Sequence, residues 1–213
     1  MTIASFIKKG KSVIDIGTDH AYLPIWLSKK GISGNITATD LNELPLKAAR
    51  ENIEYYDARN ISLIKTCGLC GINADDFDYI VIAGMGGELI VKILEDYIKD
   101  HILKSELLLC AMTKNEVLRD FLASNGFFVK SEFCAVSKKH VYSVMQVRFD
   151  GKKRKLSGLE RIIGKTYKQP GQSTSLYISQ KIMLLQNRQK GIKEPLKAKQ
   201  IELLIDKMKT FLI

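Results

Sequence analysis

The chain has 213 residues, 46% of them hydrophobic, with 33 Lys+Arg against 23 Asp+Glu and four cysteines. That length holds one large domain or a catalytic domain with a small appendage, and that apolar content buries a real core. No run approaches the ~20 uninterrupted apolar residues of a membrane span, and the first ten residues lack the order of a signal peptide, so a soluble cytoplasmic protein with reduced thiols is expected.

From residue 12 to about residue 126, short β-branched apolar runs alternate with helical patterns, which is how βαβ units and a parallel sheet read. The expected strands are Ser12–Gly17, Asn35–Asp40, Ile61–Thr66, Tyr79–Gly84 and Leu107–Met112, with helices near 22–30, 43–56, 86–99 and 114–125. Two longer alternating runs, Phe127–Val136 and Val141–Phe149, follow with no helix between them and read as an antiparallel hairpin at the sheet edge. Asp150-Gly151 and the basic run Lys152-Lys153-Arg154-Lys155 mark a composition shift, giving domains 1–150 and 151–213.

Three helices are expected in the second part. The first covers about 156–167 and the second about 174–189. The third opens at Pro195 and repeats Ile201, Leu204, Met208 and Phe211 at alternating spacings of three and four, so the last two should pack as a coiled-coil-like hairpin. Residues 1–150 carry 18 Lys+Arg against 19 Asp+Glu, whereas residues 151–213 carry 15 against four. An excess of +11 in the last third exceeds what solubility requires and suits a polyanion such as RNA. The candidate phosphate contacts are Lys152, Lys153, Arg154 and Lys155, with Lys181, Arg188 and Lys190 on the second helix; a merely solvated basic bundle is the alternative.

In an open parallel sheet the ligand lies beyond the carboxyl ends of the strands, at the point where strand order reverses. Val13-Ile-Asp-Ile-Gly-Thr-Asp-His20 ends the first strand, and there Gly17 permits close backbone approach while Asp15 can anchor a positively charged methionine moiety. A single glycine argues against a dinucleotide pyrophosphate. Asp40 ends the second strand at the spacing of a ribose-binding carboxylate, although an Asp there also serves as a helix cap. Ala83-Gly84-Met85-Gly86-Gly87 follows the fourth strand and allows close approach to a planar base, or a tight turn. Cys67 and Cys70 form a CxxC without a second ligand pair, a weak pattern that reads as a loop, and no metal is expected.

Thr2-Ile-Ala-Ser-Phe-Ile7, Asp15-Ile-Gly-Thr-Asp-His-Ala-Tyr-Leu-Pro24, Asp40-Leu-Asn-Glu-Leu-Pro-Leu46 and Ile82-Ala-Gly-Met-Gly-Gly87 closely resemble the bacterial tRNA adenine-N1-methyltransferases that act on the adenine at tRNA position 22. The resemblance covers essentially the whole chain. It implies an α/β Rossmann-like class I methyltransferase fold with a C-terminal α-helical coiled-coil-like domain, S-adenosylmethionine as methyl donor, and tRNA recognition aided by the C-terminal helices. The cofactor residues it implies are Asp15, Gly17, Asp19, His20, Asp40, Leu41, Asn42, Cys67, Gly68, Leu69, Ala83, Gly84, Met85 and Gly86. The chain departs from the family at Thr66-Cys67-Gly68-Leu69, where G-D-G-L is usual and its carboxylate contacts the cofactor's adenine, and at Cys110-Ala111-Met112, where Q-P-N is usual.

Methylation at N1 of adenine needs alignment more than a base, because that nitrogen presents an in-plane lone pair. Asp19 and His20 are the catalytic candidates that face the target base, with helix capping by Asp19 as the alternative. Such a base must be extruded from a folded tRNA. A monomer is favoured. A nicotinamide-dependent oxidoreductase, a methyltransferase of another RNA site or of protein, and a non-catalytic RNA-binding descendant are the competing readings.

Overall fold

The five expected parallel strands form as β1 (Val13–Ile16), β2 (Ile36–Asp40), β3 (Ile61–Lys65), β4 (Tyr79–Gly86) and β5 (Glu106–Thr113). The antiparallel pair is β6 (Phe127–Ser137) and β7 (His140–Phe149), and the seven strands make one sheet in the order β3-β2-β1-β4-β5-β7-β6. This computed structural model describes residues 3–138 and 140–212; Thr2, which opens the first resemblance segment, lies outside them.

Alternation within the apolar runs sends neighbouring residues to opposite faces of the sheet. Ile14, Ile16, Ile80, Ile82, Leu107 and Leu109 pack under Ile90 and Leu94 of α3 (Gly87–Ile98) and Leu118 and Leu122 of α4 (Asn115–Ser124). Val13, Tyr79, Val81 and Leu108 face the other way, against Leu27 of α1 (Tyr22–Lys29) and the N-terminal turn at Ala4. The fourth helix of this part, α2 (Glu43–Tyr55), closes on α1 through Ala49, Ala21 and Ile25. Strand order reverses between β1 and β4, which fixes the crevice for a ligand at their carboxyl ends.

Two expectations need correction. β4 continues to Gly86 through a register shift at Ala83/Met85 instead of ending at Gly84, because Gly86 still pairs with Thr113. The helix expected over 156–167 stops early as α5 (Gly158–Ile163), followed by a 3-10 turn at Thr166–Lys168. It opens with a reciprocal capping box between Ser157 and Glu160 and ends at Gly164, whose φ is +60°. A side chain at Gly164 would collide with the Glu132 carboxylate.

The remaining helices are α6 (Gln172–Gln189) and α7 (Pro195–Lys209). Ile178, Ile182 and Leu185 meet Ile205 and Met208 between them, with Leu159 and Ile163 of α5, and this cluster rests on Cys134 and Val141 of the hairpin. A buried polar knot fastens the helices to the sheet. Arg119 of α4, 2% exposed, donates to the Glu132 carboxylate (2.6 Å), the Tyr177 hydroxyl (2.9 Å) and the backbone carbonyls of Arg161 and Ile162 (2.9 and 3.0 Å). Glu132, 1% exposed, also accepts from Ser143 Oγ and from the Lys165 amide. Burial opposes the Arg119 charge, but Glu132 and Tyr177 outweigh it and raise its pKa.

Candidate active site

The loop leaving β1 is held by its own backbone: the Thr18 amide donates to Thr39 O on β2 (2.8 Å), and Gly17 adopts φ +71°. A Cβ at Gly17 would strike Cε of Met85, the free end of a flexible side chain that could shift, so it is the positive φ that favours glycine here. At the base of this loop Asp15 is 7% exposed and accepts a 2.7 Å hydrogen bond from Thr18 Oγ1. Burial pushes its carboxyl up to about 6 despite that bond.

Asp40, at the end of β2, is tied to the same loop. Its Oδ2 accepts from the Asp19 amide (3.3 Å) and its Oδ1 from the Asn42 amide (3.0 Å). Each oxygen keeps a second lone pair for a ligand hydroxyl. Neither Asp19 nor Asp40 caps a helix with its side chain: the N-caps of α1 and α2 are Ala21 and Asn42, without side-chain cap bonds. Instead the Asp19 carboxylate, 69% exposed, stands 3.6 Å from His20 Nε2, and the His20 ring stacks on Tyr22 at 5.5 Å.

A cleft of about 480 Å³ lies over these strand ends. Of the residues singled out in the sequence it brings together Asp15, Gly17, Asp19, Ala83, Gly84 and Met85. Gly84, at φ +83°, opens onto free space, so the β4 loop leaves a cradle that a side chain would fill. His20, Asp40, Leu41 and Asn42 flank the cleft without lining it, and Asp40 reaches it through Asp19. Cys67 and Gly68 lie in the turn after β3, and Leu69, 4% exposed, packs in the core with Ile14 and Ile16, which leaves its side chain no surface for a ligand.

Cys110 of β5, where the chain departs from the family's Q-P-N, also lines the cleft, as do Ile3 and Ala4 of the first resemblance segment. Sequence reasoning missed the rest of that wall, Ala135 of β6 and Tyr142 and Val144 of β7. Insertion of β7 beside β5 brings Tyr142 there, a pairing that no local pattern encodes. Burial pushes the Cys110 thiol up to about 11, so it is a neutral part of the wall. All four cysteines are free thiols, and among the described residues no group of three or more His, Cys, Asp or Glu could hold a metal ion. No helix among them is long and apolar enough to cross a membrane.

Residues 1–145, which hold the whole of this cleft, match the model of a methyltransferase domain family. The chain belongs to that family. Among curated relatives, the tRNA (adenine(22)-N(1))-methyltransferase of Bacillus subtilis is 31% identical over 146 residues, which cover 68% of this chain and 61% of that protein. The chain thus matches less than two thirds of that relative's length. Among solved structures, Sp1610 of Streptococcus pneumoniae is 27% identical with a TM-score of 0.85, covering 100% of this chain and 97% of that one. Sp1610 has also been solved with S-adenosyl-L-methionine (26% identity, TM-score 0.83, covering 100% and 97%). TrmK of M. capricolum, in complex with its cofactor product S-adenosyl-homocysteine, is 29% identical with a TM-score of 0.77 over 99% of this chain and 94% of that one.

Proposed function

We propose that the chain transfers the methyl group of S-adenosylmethionine to N1 of the adenine at position 22 of tRNA. The observation that carries this reading is likeness along the whole chain, C-terminal helices included, to structures holding S-adenosylmethionine or its product. The relative from Bacillus subtilis supplies the acceptor.

The residues at the strand ends fit such a donor. Among the described residues the buried Asp15 carboxylate has no cation beside it, and it suits the positively charged methionine moiety. Asp40 has lone pairs left for the ribose hydroxyls, and the Ala83–Gly86 end of β4 and the exposed Cys67 would border the adenine. When bound, the donor supplies an electrophilic methyl group on a sulfonium. N1 of the target attacks through its in-plane lone pair, so the protein's task is alignment, and the base leaves as a cation. Asp19, with His20 against it, would stabilise that charge.

We assign tRNA binding to residues 151–213, a coiled-coil-like basic domain acting beside the catalytic domain of residues 1–150, in the cytoplasm. Lys152, Lys153, Lys155 and Lys190 are exposed and available to phosphates. Arg154 is engaged by Asp150 and lies over Phe128, Arg188 stands 3.9 Å from Glu116, and Lys181 is partly buried over Tyr177, so these three contribute less to a diffuse phosphate grip. Titration of the protein with S-adenosylmethionine by calorimetry, then incubation with labelled donor and bulk unmodified tRNA, tests the proposal. Saturable donor binding and label in tRNA are expected; donor binding with label only in protein would reassign the acceptor.

A further inference from the structure

Cys67 and Cys70, which the sequence marks as a CxxC, sit in the turn that follows β3. The Cys70 amide donates to the Cys67 carbonyl (3.1 Å), and the Thr66 hydroxyl donates to the Cys70 carbonyl (2.6 Å), so the turn is clamped twice. A turn closed between residues i and i+3 brings their Cα atoms within about 7 Å, the reach of a disulfide. The two residues between the thiols are held by the fold. Gly68, at φ +60°, lies so close to Ile93 of α3 that a Cβ there would meet its side chain at 3.0 Å, and Leu69 packs in the core. Cys67 and Cys70 themselves are exposed.

Two exposed thiols on a fixed turn meet each other at a high effective concentration, which favours a bond between them over a lasting bond to a small molecule. The remaining cysteines differ. Burial pushes the Cys134 thiol up to about 12, as it pushes Cys110 to about 11, so both stay protonated and slow toward exchange. The turn is also joined to the donor site. The Thr66 amide donates to the Asp40 carbonyl (3.0 Å), which continues the β2–β3 pairing and sets Cys67 one residue beyond the level of Asp40.

We infer that Cys67 and Cys70 form a reversible thiol–disulfide exchange site for low-molecular-weight disulfides, and that closing their disulfide weakens donor binding. The second part rests on the reading of Cys67 as a neighbour of the donor's adenine. One thiol of the pair loses its proton and attacks a sulfur of a disulfide RSSR, whose S–S bond breaks; RS⁻ leaves and takes up a proton. The other thiol, deprotonated in turn, attacks the mixed disulfide, expels a second RS⁻ and closes the Cys67–Cys70 bond. Two protein thiols and one RSSR become one protein disulfide and two RSH, the protein giving up the two electrons that RSSR gains. Closure engages the Cys67 sulfur with Cys70 and removes the S–H, a weak donor, from beside the adenine.

The test equilibrates the full chain with oxidised glutathione or with dithiothreitol, locates disulfides by peptide mass mapping, and titrates both forms with S-adenosylmethionine by calorimetry. A Cys67–Cys70 disulfide that forms before any reaction at Cys110 or Cys134, and that dithiothreitol reverses, is expected. The oxidised form should bind the donor roughly fivefold more weakly, the scale of one neutral hydrogen bond. Cys70→Ser should stop at a glutathione adduct on Cys67 and, when reduced, bind the donor as wild type does. A wild-type chain that ends as a mixed disulfide, or whose oxidised and reduced forms bind the donor equally, would overturn the proposal; both readouts stand without the variant. Reduced protein that binds no S-adenosylmethionine would overturn the functional reading itself, and the effect on donor binding with it.

Discussion

Replacing Asp15 by Asn should make the ligand-free protein more stable and its donor binding weaker. Burial raises the folded-state pKa of Asp15 to about 6, against 3.8 for the free side chain. Between these values the folded chain holds a proton that the unfolded chain has released, so stability falls as pH rises through that window, and above it the ionised carboxylate exacts its full penalty. About two pKa units at roughly 1.4 kcal/mol each amount to about 3 kcal/mol. Asn keeps an acceptor for Thr18 but adds an amide NH2 donor that needs a partner, which reduces the gain to about 1–2 kcal/mol. In a chain of this size that is a rise in Tm of about 2–8 °C. Loss of the carboxylate should weaken S-adenosylmethionine binding by at least about tenfold, the scale of a hydrogen bond to a charged group. Thermal melts at about pH 5 and about pH 7.5 with calorimetric titrations measure both effects, and the stability gain should shrink at the lower pH, where Asp15 is already neutral. A variant less stable at the higher pH, or one that binds donor as tightly as wild type, would refute the role given to this carboxylate.

Asp40→Ala should weaken donor binding by about 1.5–3 kcal/mol, read by the same calorimetry, and unchanged affinity would remove Asp40 from the ribose. Glu132→Gln leaves the buried Arg119 guanidinium without its counter-charge, so the fold should lose about 3 kcal/mol or more, a fall in Tm of roughly 6–12 °C; an unchanged melt would show that the knot does not hold the helices to the sheet. Neutralising Lys152, Lys153 and Lys155 together should make the salt dependence of tRNA binding shallower by about two to three log units per log unit of salt. Adding Arg154→Gln should change the slope little, since Asp150 already neutralises that guanidinium. Equal slopes for the wild type and the triple variant would leave the tail as a solvated bundle.

Most strands and helices of residues 12–126 were legible because short β-branched apolar runs alternate with helical patterns, and the hairpin that follows because its two longer runs alternate with no helix between them. For the same reason the residues at or just past the carboxyl ends of strands, Asp15, Gly17, Asp19 and Ala83–Met85, could be picked out before their meeting in the cleft was visible. What stayed hidden depends on contacts distant in sequence. No motif singles out Arg119 and Glu132, yet they are buried together, and the helix expected over 156–167 breaks at Gly164, where the Lys165 amide reaches Glu132. Tyr142 reaches the cleft only because β7 lies between β5 and β6.

The central claim is the position and atom of methylation. It is tested most directly by incubating the protein with S-adenosylmethionine and two tRNA transcripts, one with adenine at position 22 and one with guanine there, and mapping the product nucleosides by mass spectrometry. The account predicts N1-methyladenosine at position 22 in the first transcript and no methylation in the second. Equal methylation of both transcripts, or a methyl group on another nucleoside, would contradict it.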